Sequence, residues 1–328
     1  MDECFQCRRN TNILFLGGAK RVSMAEQLVK AGKDLGMVVS IFSHELNECE
    51  PIASVGKVIV GSKYTSPNID DELDEIIATH DIHIVLPFID PAIEVAARCQ
   101  VRHPEVFVPV PSADVARSMF DKISSAQLFE QLGIPVPKTY TAAGDLQYPA
   151  ILKPRHGSAS KGIIVAYNHD DLRQASGNID ENYLVQQYIA EREEYTIDCY
   201  VGTQDGEVKC AVPRLRIATA GGEVTKTETR HIPQLEATAR DTLKLLKLKG
   251  AVTLQFMRDL QNSRFLLMEV NPRLGGGVIC SIYAGANIPR MILEESIGFN
   301  AVPAHDWNEG VLMTRYMKEV VFFNNNII

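Results

Sequence analysis

Leu266-Leu267-Met268-Glu269-Val270-Asn271-Pro272-Arg273-Leu274-Gly275-Gly276-Gly277 is an apolar run that ends in a carboxylate, an amide and a guanidinium, then breaks into glycines. As an extended strand it puts Glu269 and Asn271 on one face, because successive side chains point to opposite sides. Pro272 and the glycines stop the strand there. Two hard oxygen donors then face one space, which suits Mg²⁺: such an ion takes one or two protein oxygens and completes its shell with water and phosphate. Arg273 follows, close enough to meet a phosphate oxygen in fork geometry. The other reading of these residues is a strand end with a solvated Glu269 and an Asn-Pro turn.

Working outward, a turn at 259–263 joins this strand to an apolar one at 251–257 that carries Gln255. Residues 232–248 have helical spacing through Leu235, Ala239, Leu243 and Leu246. Residues 283–297 read as the helix after the glycines. The polar Asn324-Asn325-Asn326 is expected to be a mobile tail.

The middle of the chain is β-rich. A strand over 148–154 bears Lys153, the small-residue hairpin Gly157–Gly162 follows, and 163–167 returns as a strand. Such a tip beside an inward lysine can drape over a phosphate chain, its N–H groups approaching closely while the lysine adds charge. A plain surface hairpin is the alternative. A short helix at 170–175 leads to a strand at 183–189 containing Gln186 and Gln187. The charged residues 191–194 precede strands at 195–201 and 208–212. Arg214 and Arg216 share one face opposite the Gly221-Gly222 turn, and suit either a clamp on a carboxylate or phosphate or a solvated strand face.

The first third alternates apolar runs (12–16, 38–42, 58–60, 82–88, 106–108) with helical spacings (through Met24, Leu28 and Ala31; 69–78; 91–102). That order predicts a parallel sheet covered on both faces. The first turn, Gly17-Gly18-Ala19-Lys20-Arg21, lacks G-x-G-x-x-G, and the acidic residue expected about 20 positions on is not clearly placed, so NAD binding is disfavoured. Asp90 sits where open α/β sheets bind ligands, or caps a helix. Residues 112–132 read as one helical stretch carrying Asp121 and Lys122, closed by the stiff Gly133-Ile134-Pro135-Val136-Pro137.

At 328 residues two or three domains are expected. Hydrophobic content of 45% with 23% charged residues is ordinary for a globular protein, and no apolar run approaches the ~20 residues of a membrane span. With its acidic, non-apolar N-terminus, the chain is expected to be cytoplasmic and to have no membrane partner. A net charge of -8 without a long basic run argues against nucleic acid. Cys4-x-x-Cys7 is the one close cysteine pair and lacks partners for a zinc site, so reduced bystander thiols are expected.

Taken together, the order and spacing resemble the ATP-grasp superfamily, most closely the branch with the large subunit of carbamoyl phosphate synthase and its stand-alone relatives. The resemblance runs from Ile13 to about Phe299. It is carried by Leu152-Lys153-Pro154-Arg155-x-Gly157-Ser158-Ala159-Ser160, by Gln255, and by Met268-Glu269-Val270-Asn271-Pro272-Arg273. It implies an α/β fold, α+β in its C-terminal part. The expected domains are a Rossmann-like pre-ATP-grasp domain (1–115), a small lid subdomain (116–188) and an antiparallel-sheet ATP-binding subdomain (189–328).

The resemblance also implies roles. Lys122 and Lys153 touch ATP phosphates beneath the hairpin of Gly157, Ser158, Ser160 and Gly162. Gln186 and the backbone of Gln187, Tyr188 and Ile189 read the adenine, and Glu194 the ribose. Gln255, Glu269 and Asn271 hold one or two Mg²⁺, with Mn²⁺ as a substitute, while Arg273 steadies the transferred phosphoryl group; Lys153 and Arg216 are further catalytic candidates, and Arg214, Arg216, Arg273 and the Gly275–Gly277 turn are candidate contacts to the substrate carboxylate. Gln255 departs from the acidic residue common in the superfamily, which leaves Glu269 as the main metal charge. The implied reaction is attack of a small-molecule carboxylate on the γ-phosphate, giving an acyl phosphate that an amine captures. A homodimer is the quaternary expectation. The competing readings are a component of a split carbamoyl phosphate synthase, a nucleotide sensor without turnover, and a nicotinamide oxidoreductase.

Overall fold

The computed structural model describes residues 10–140, 145–157, 161–176 and 182–328. The N-terminal part runs β1 (Asn10–Leu16), α1 (Val22–Asp34), β2 (Val38–Glu45), β3 (Lys57–Val60), α2 (Ile69–His80), β4 (Ile84–Pro87) and α3 (Asp90–Arg102). Its four strands lie in the order β3-β2-β1-β4, all parallel. The runs are continuously apolar because helices cover both faces. Ile13 and Phe15 pack with Met24 and Leu28 of α1, whereas Leu14 and Leu16 pack with Leu73, Ile77 and Ile93. Strand order reverses between β1 and β4, and such a switch point opens a crevice outside the carboxyl ends, rimmed by the β1–α1 and β4–α3 loops.

The single helical stretch expected over 112–132 is two helices, α4 (Ala113–Phe120) and α5 (Lys122–Gln131). Asp121 between them is extended, and its carboxylate accepts the N–H groups of Ile123 and Ser124. An aspartate that caps a new helix competes with continuation of the old one, which breaks the run. A small antiparallel sheet follows, β6-β5-β7, from β5 (Ala150–Pro154), β6 (Ile164–Ala166) and β7 (Tyr183–Gln187), with α6 (His169–Ser176) between the last two.

The third sheet is antiparallel and is built from β8 (Arg192–Val201), β9 (Val208–Ala220), β10 (Glu223–Thr229), β11 (Gly250–Asp259), β12 (Arg264–Asn271) and β13 (Leu312–Thr314), in the order β12-β11-β8-β9-β10-β13. α7 (Pro233–Leu245) covers one face: its Leu235, Ala239 and Leu243 meet Ile197, Leu254, Phe256 and Val270. The other face turns toward the rest of the molecule: Tyr200, Cys210, Val212 and Ala251 join the core of the N-terminal part, and the polar residues lie farther along the strands.

Two expectations near the C-terminus are corrected. The helix expected over 283–297 is shortened to α9 (Ile288–Ser296); one wide turn, Ile282–Ala286, takes up its start and joins it to a short α8 (Val278–Ser281). Gly285 (φ 112°) and Asn287 (φ 51°) lie in the left-handed region, which ends one helix, and Pro289 suits the first turn of the next. The asparagine tail forms a hairpin, β14 (Phe322–Phe323) with β15 (Asn326–Ile327), turning through Asn324 and Asn325 at positive φ. Among the described residues no helix is long and apolar enough to cross a membrane.

Candidate functional site

The β11–β12 hairpin supplies the oxygen donors. Gln255 lies directly opposite Glu269 and Thr253 opposite Asn271. The row continues across the sheet from Gln255 to Thr196 on β8 and Arg214 on β9. Gln255 pairs with Glu269 but Phe256 pairs with Leu267, so Met268 is an extra residue, a bulge. Its effect shows in the packing: Phe265, Leu267 and Val270 all belong to the core under α7, the last step being three residues instead of two. An unbroken alternation would put Glu269 on Leu267's side, under the helix; the bulge turns it to the polar face. The apolar run Leu266-Leu267-Met268 carries no signal for that bulge.

This face lines a cleft of about 470 Å³ between the small sheet and the large one. Lys153 on β5 reaches it while 7% exposed, and its Nζ donates to Gln186 Oε1 at 2.9 Å. Burial lowers the Lys153 pKa to about 8, against the attraction of Glu269. Gln186 is itself 3% exposed, with Nε2 at 3.4 Å from Pro137 O and from Thr139 Oγ1. Its side chain therefore orients the lysine. Of the adjoining backbone groups, Gln187 N–H donates to Lys138 O, Tyr188 N–H to Pro149 O, and Ile189 O accepts from Arg192 Nη1 at 2.7 Å. Tyr188 lines the cleft, and Gln187, Tyr188 and Ile189 line an apolar side cavity with Ile151, Met257 and Met268.

A clasp that sequence reasoning missed fixes Lys122. Arg155 Nε donates to Asp121 Oδ2 at 2.7 Å, and Lys122 N–H donates to Arg155 O at 3.1 Å. Partial burial pushes the Asp121 carboxyl up, but hydrogen bonds from Arg155 and Ser124 outweigh it and hold the pKa at about 2. Lys122 Nζ then donates to Gly157 O at 2.6 Å, at the start of the hairpin. Gly157 lines the cleft; Gly162, at φ 72° beside Pro154, does not. Ser158, Ser160, Cys4 and Cys7 lie outside the described residues.

The two arginines of β9 separate in role. Arg214 is fully buried, its Nε and Nη2 forking onto Asp198 at 2.7 and 3.1 Å while Ser281 Oγ donates to the same carboxylate. The expectation that it clamps a substrate is corrected: its fork is already filled. Arg216 donates to Thr196 Oγ1 and Gly222 O, and its Nε is buried 3.6 Å from Glu194 Oε2 without a hydrogen-bond partner. Burial lowers its pKa, against the attraction of Glu194. Glu194 also accepts from Arg192 Nε at 2.9 Å.

Arg273 ties the site to the first sheet: its Nε donates to Asp90 Oδ1 at 2.6 Å and its Nη2 to Asn271 Oδ1 at 3.3 Å. Among the described residues the Glu269 carboxylate makes no hydrogen bond, and no group of three or more His, Cys, Asp or Glu could hold a metal. One carboxylate with two amide oxygens fits Mg²⁺, which needs few protein ligands when phosphate oxygens complete the shell, and does not fit zinc.

Residues 180–319 match the family model described as ATP-grasp in the biosynthetic pathway with Ter operon. The alpha subunit of rice mitochondrial methylcrotonoyl-CoA carboxylase is 26% identical over 223 residues, 59% of this chain and 29% of that protein. Carbamoyl-phosphate synthase of Methanobrevibacter smithii is 25% identical over 228 residues, 63% and 61% respectively. The chain thus spans less than two thirds of either relative. Among solved structures, Campylobacter jejuni biotin carboxylase in its beta-gamma-ATP complex superposes with a TM-score of 0.73 at 18% identity, over 91% of this chain and 73% of that one. With a lysine-bearing small sheet facing a Gln/Glu/Asn hairpin across one cleft, the chain carries an ATP-grasp domain and has the ATP-grasp fold.

Proposed function

We propose that the chain is an ATP-dependent carboxylate–amine ligase whose parts are a pre-ATP-grasp domain (1–115), a lid subdomain (116–188) and a C-terminal subdomain (189–328). The observation that carries the reading is the convergence of Lys153, Arg216 and Glu269 on one cleft, with a buried, unpartnered Arg216 Nε among them. Burying a cation without a full set of acceptors is costly, and an anionic ligand offsets that cost. Phosphoryl transfer needs positioning and charge neutralisation more than covalent chemistry by the protein.

In this reading the adenine lies in the cleft against Tyr188, next to Gln187 and Ile189, and the ribose near Glu194. Lys122 and Lys153 meet the phosphates. Glu269, Asn271 and Gln255 would hold Mg²⁺, which when bound would neutralise phosphate charge. A substrate carboxylate oxygen attacks the γ-phosphorus, the bond to the β-phosphate oxygen breaks and ADP leaves. Arg273 and Arg216 steady the oxygens in flight. An amine then attacks the acyl carbon, loses a proton, and phosphate leaves. Mn²⁺ substitution and a homodimeric state belong to the same proposal.

The test uses hydroxylamine, which converts an acyl phosphate to a hydroxamate. Carboxylate-dependent ADP release with hydroxamate formation supports the reading; ATP binding without either across a broad carboxylate panel would leave a nucleotide sensor instead. Likeness to carbamoyl-phosphate synthase favours a second reading, a split-enzyme component, in which bicarbonate alone drives ADP release.

A further inference from the structure

Beyond Arg273 the cleft runs into a second group of charges that the reaction above does not use. Arg21 stands in the β1–α1 loop at the switch point of the parallel sheet. Its side chain is 15% exposed and lies over the Phe88 ring, 5.9 Å from the centroid. The nearest carboxylate oxygen, Glu223 Oε1, is 3.9 Å away, beyond hydrogen-bonding distance. The partner oxygen of Glu223 is already taken: Arg315 Nη1, arriving just after β13, donates to Oε2 at 2.7 Å. The remaining carboxylate of the group, Asp90, is taken by Arg273. Three guanidinium groups therefore face two carboxylates, and of the three Arg21 is the one with no carboxylate in hydrogen-bonding range among the described residues.

Arg21 and Arg315 close on Gly276. A Cβ at that position would stand 2.8 Å from Arg21 Nη1 and 3.4 Å from Arg315 Nη1, so any side chain would drive the two away. The preceding Gly275 packs on Thr253, which faces Asn271 across the metal hairpin. Successive Cα atoms are about 3.8 Å apart, so the pair lies one residue along the turn from the reacting end of the cleft. Burial, with Arg273 and Arg315 nearby, lowers the Arg21 pKa against the pull of Glu223, the direction expected for a cation short of acceptors.

We propose that Arg21 and Arg315 hold a second anionic group on the carboxylate substrate, so that the enzyme activates short dicarboxylates, acidic amino acids included, in preference to monocarboxylates. This rests on the ligase reading and names its substrate class. A guanidinium pair matches a carboxylate in fork geometry, and a site built for a charged group rejects the analogue lacking it strongly, because its own charge is then left unpaired.

The experiment is the hydroxamate assay with succinate, glutarate and aspartate against acetate, butyrate and alanine, on the wild-type chain and on Arg21→Gln and Arg315→Gln, with MgATP affinity as the folding control. The expected result is a kcat/KM at least tenfold higher for the dianionic series, with Arg21→Gln shrinking the preference below threefold through KM. Equal kcat/KM for the two series, or an Arg21→Gln variant that loses both series together, overturns the inference and leaves the ligase reading standing. Absence of hydroxamate from every carboxylate, with MgATP still bound, sinks the ligase reading and the inference with it.

Discussion

Arg273 and Asp90 are 183 positions apart, yet Arg273 Nε donates to Asp90 Oδ1 at 2.6 Å. The arginine beside the metal hairpin is thus held by the first turn of α3, an element of the parallel sheet. Removing the acceptor with Asp90→Ala leaves the arginine free of its anchor on α3. The pair is partly exposed and costs about 1 kcal/mol of stability at most, a fall in Tm of no more than about 4 °C. Misplacing a phosphate-steadying group costs far more in rate, about 10- to 100-fold in kcat. Steady-state kinetics beside thermal denaturation separates the two effects; a loss of Tm with kcat unchanged would show the bond to be structural only.

Glu269→Ala should abolish ATP turnover while leaving the Tm within about 1 °C, because among the described residues this carboxylate makes no hydrogen bond to the protein. Mg²⁺-dependent nucleotide binding, followed by calorimetry, should fall with it. Near-normal turnover would remove the metal assignment.

Lys153 links nucleotide binding to pH. Its pKa, lowered by burial to about 8, rises when a phosphate arrives, so MgATP binding takes up about half a proton at pH 8 and almost none at pH 6. Calorimetry in two buffers of different ionisation heat measures that uptake. The sign for stability is the reverse of a paired lysine. Between about pH 8 and the ordinary lysine value the unfolded chain binds more protons, so this residue's contribution to stability increases as pH rises through that window. Lys153→Met should flatten both effects and lose ATP affinity.

Asp121→Ala removes a helix cap and the partner of Arg155 at once. Loss of the cap alone costs about 1 kcal/mol. Because Lys122 and the start of the hairpin hang on the same clasp, KM for ATP should rise several-fold, where a pure capping defect would leave it alone. The carboxyl pKa is lowered to about 2, so its contribution is complete above the ordinary aspartate value and is lost as pH falls through about 2.

Arg214 and Arg216 provide an internal control. Asp198→Ala strands a buried guanidinium, both partners being 1% exposed or less, and should cost about 3–5 kcal/mol of stability in urea titration. Arg216→Met should leave stability nearly unchanged and cost activity. The opposite pattern would exchange their roles.

Much of this was legible from residue order alone. Glu269 and Asn271 on one face, Gln255 on the neighbouring strand and Lys153 before a small-residue hairpin all follow from the period of two along a strand and from turn chemistry, which are local rules. Where local rules competed, the reading slipped. Asp121 broke a helix that spacing alone would continue, Gly285 and Asn287 shortened another, and the asparagine tail closed as a hairpin because asparagine tolerates positive φ.

The sequence by itself therefore determined which chemical groups the cleft has to offer and in what order they enter it. Only the tertiary structure decided which of them stay available. The Met268 bulge set the face Glu269 presents, Asp198 claimed Arg214, Asp90 claimed Arg273, and Arg21 was left over. The physical reason is that a charge's partner is chosen by distance in space and by burial, and for residues up to 183 positions apart neither is written in local periodicity.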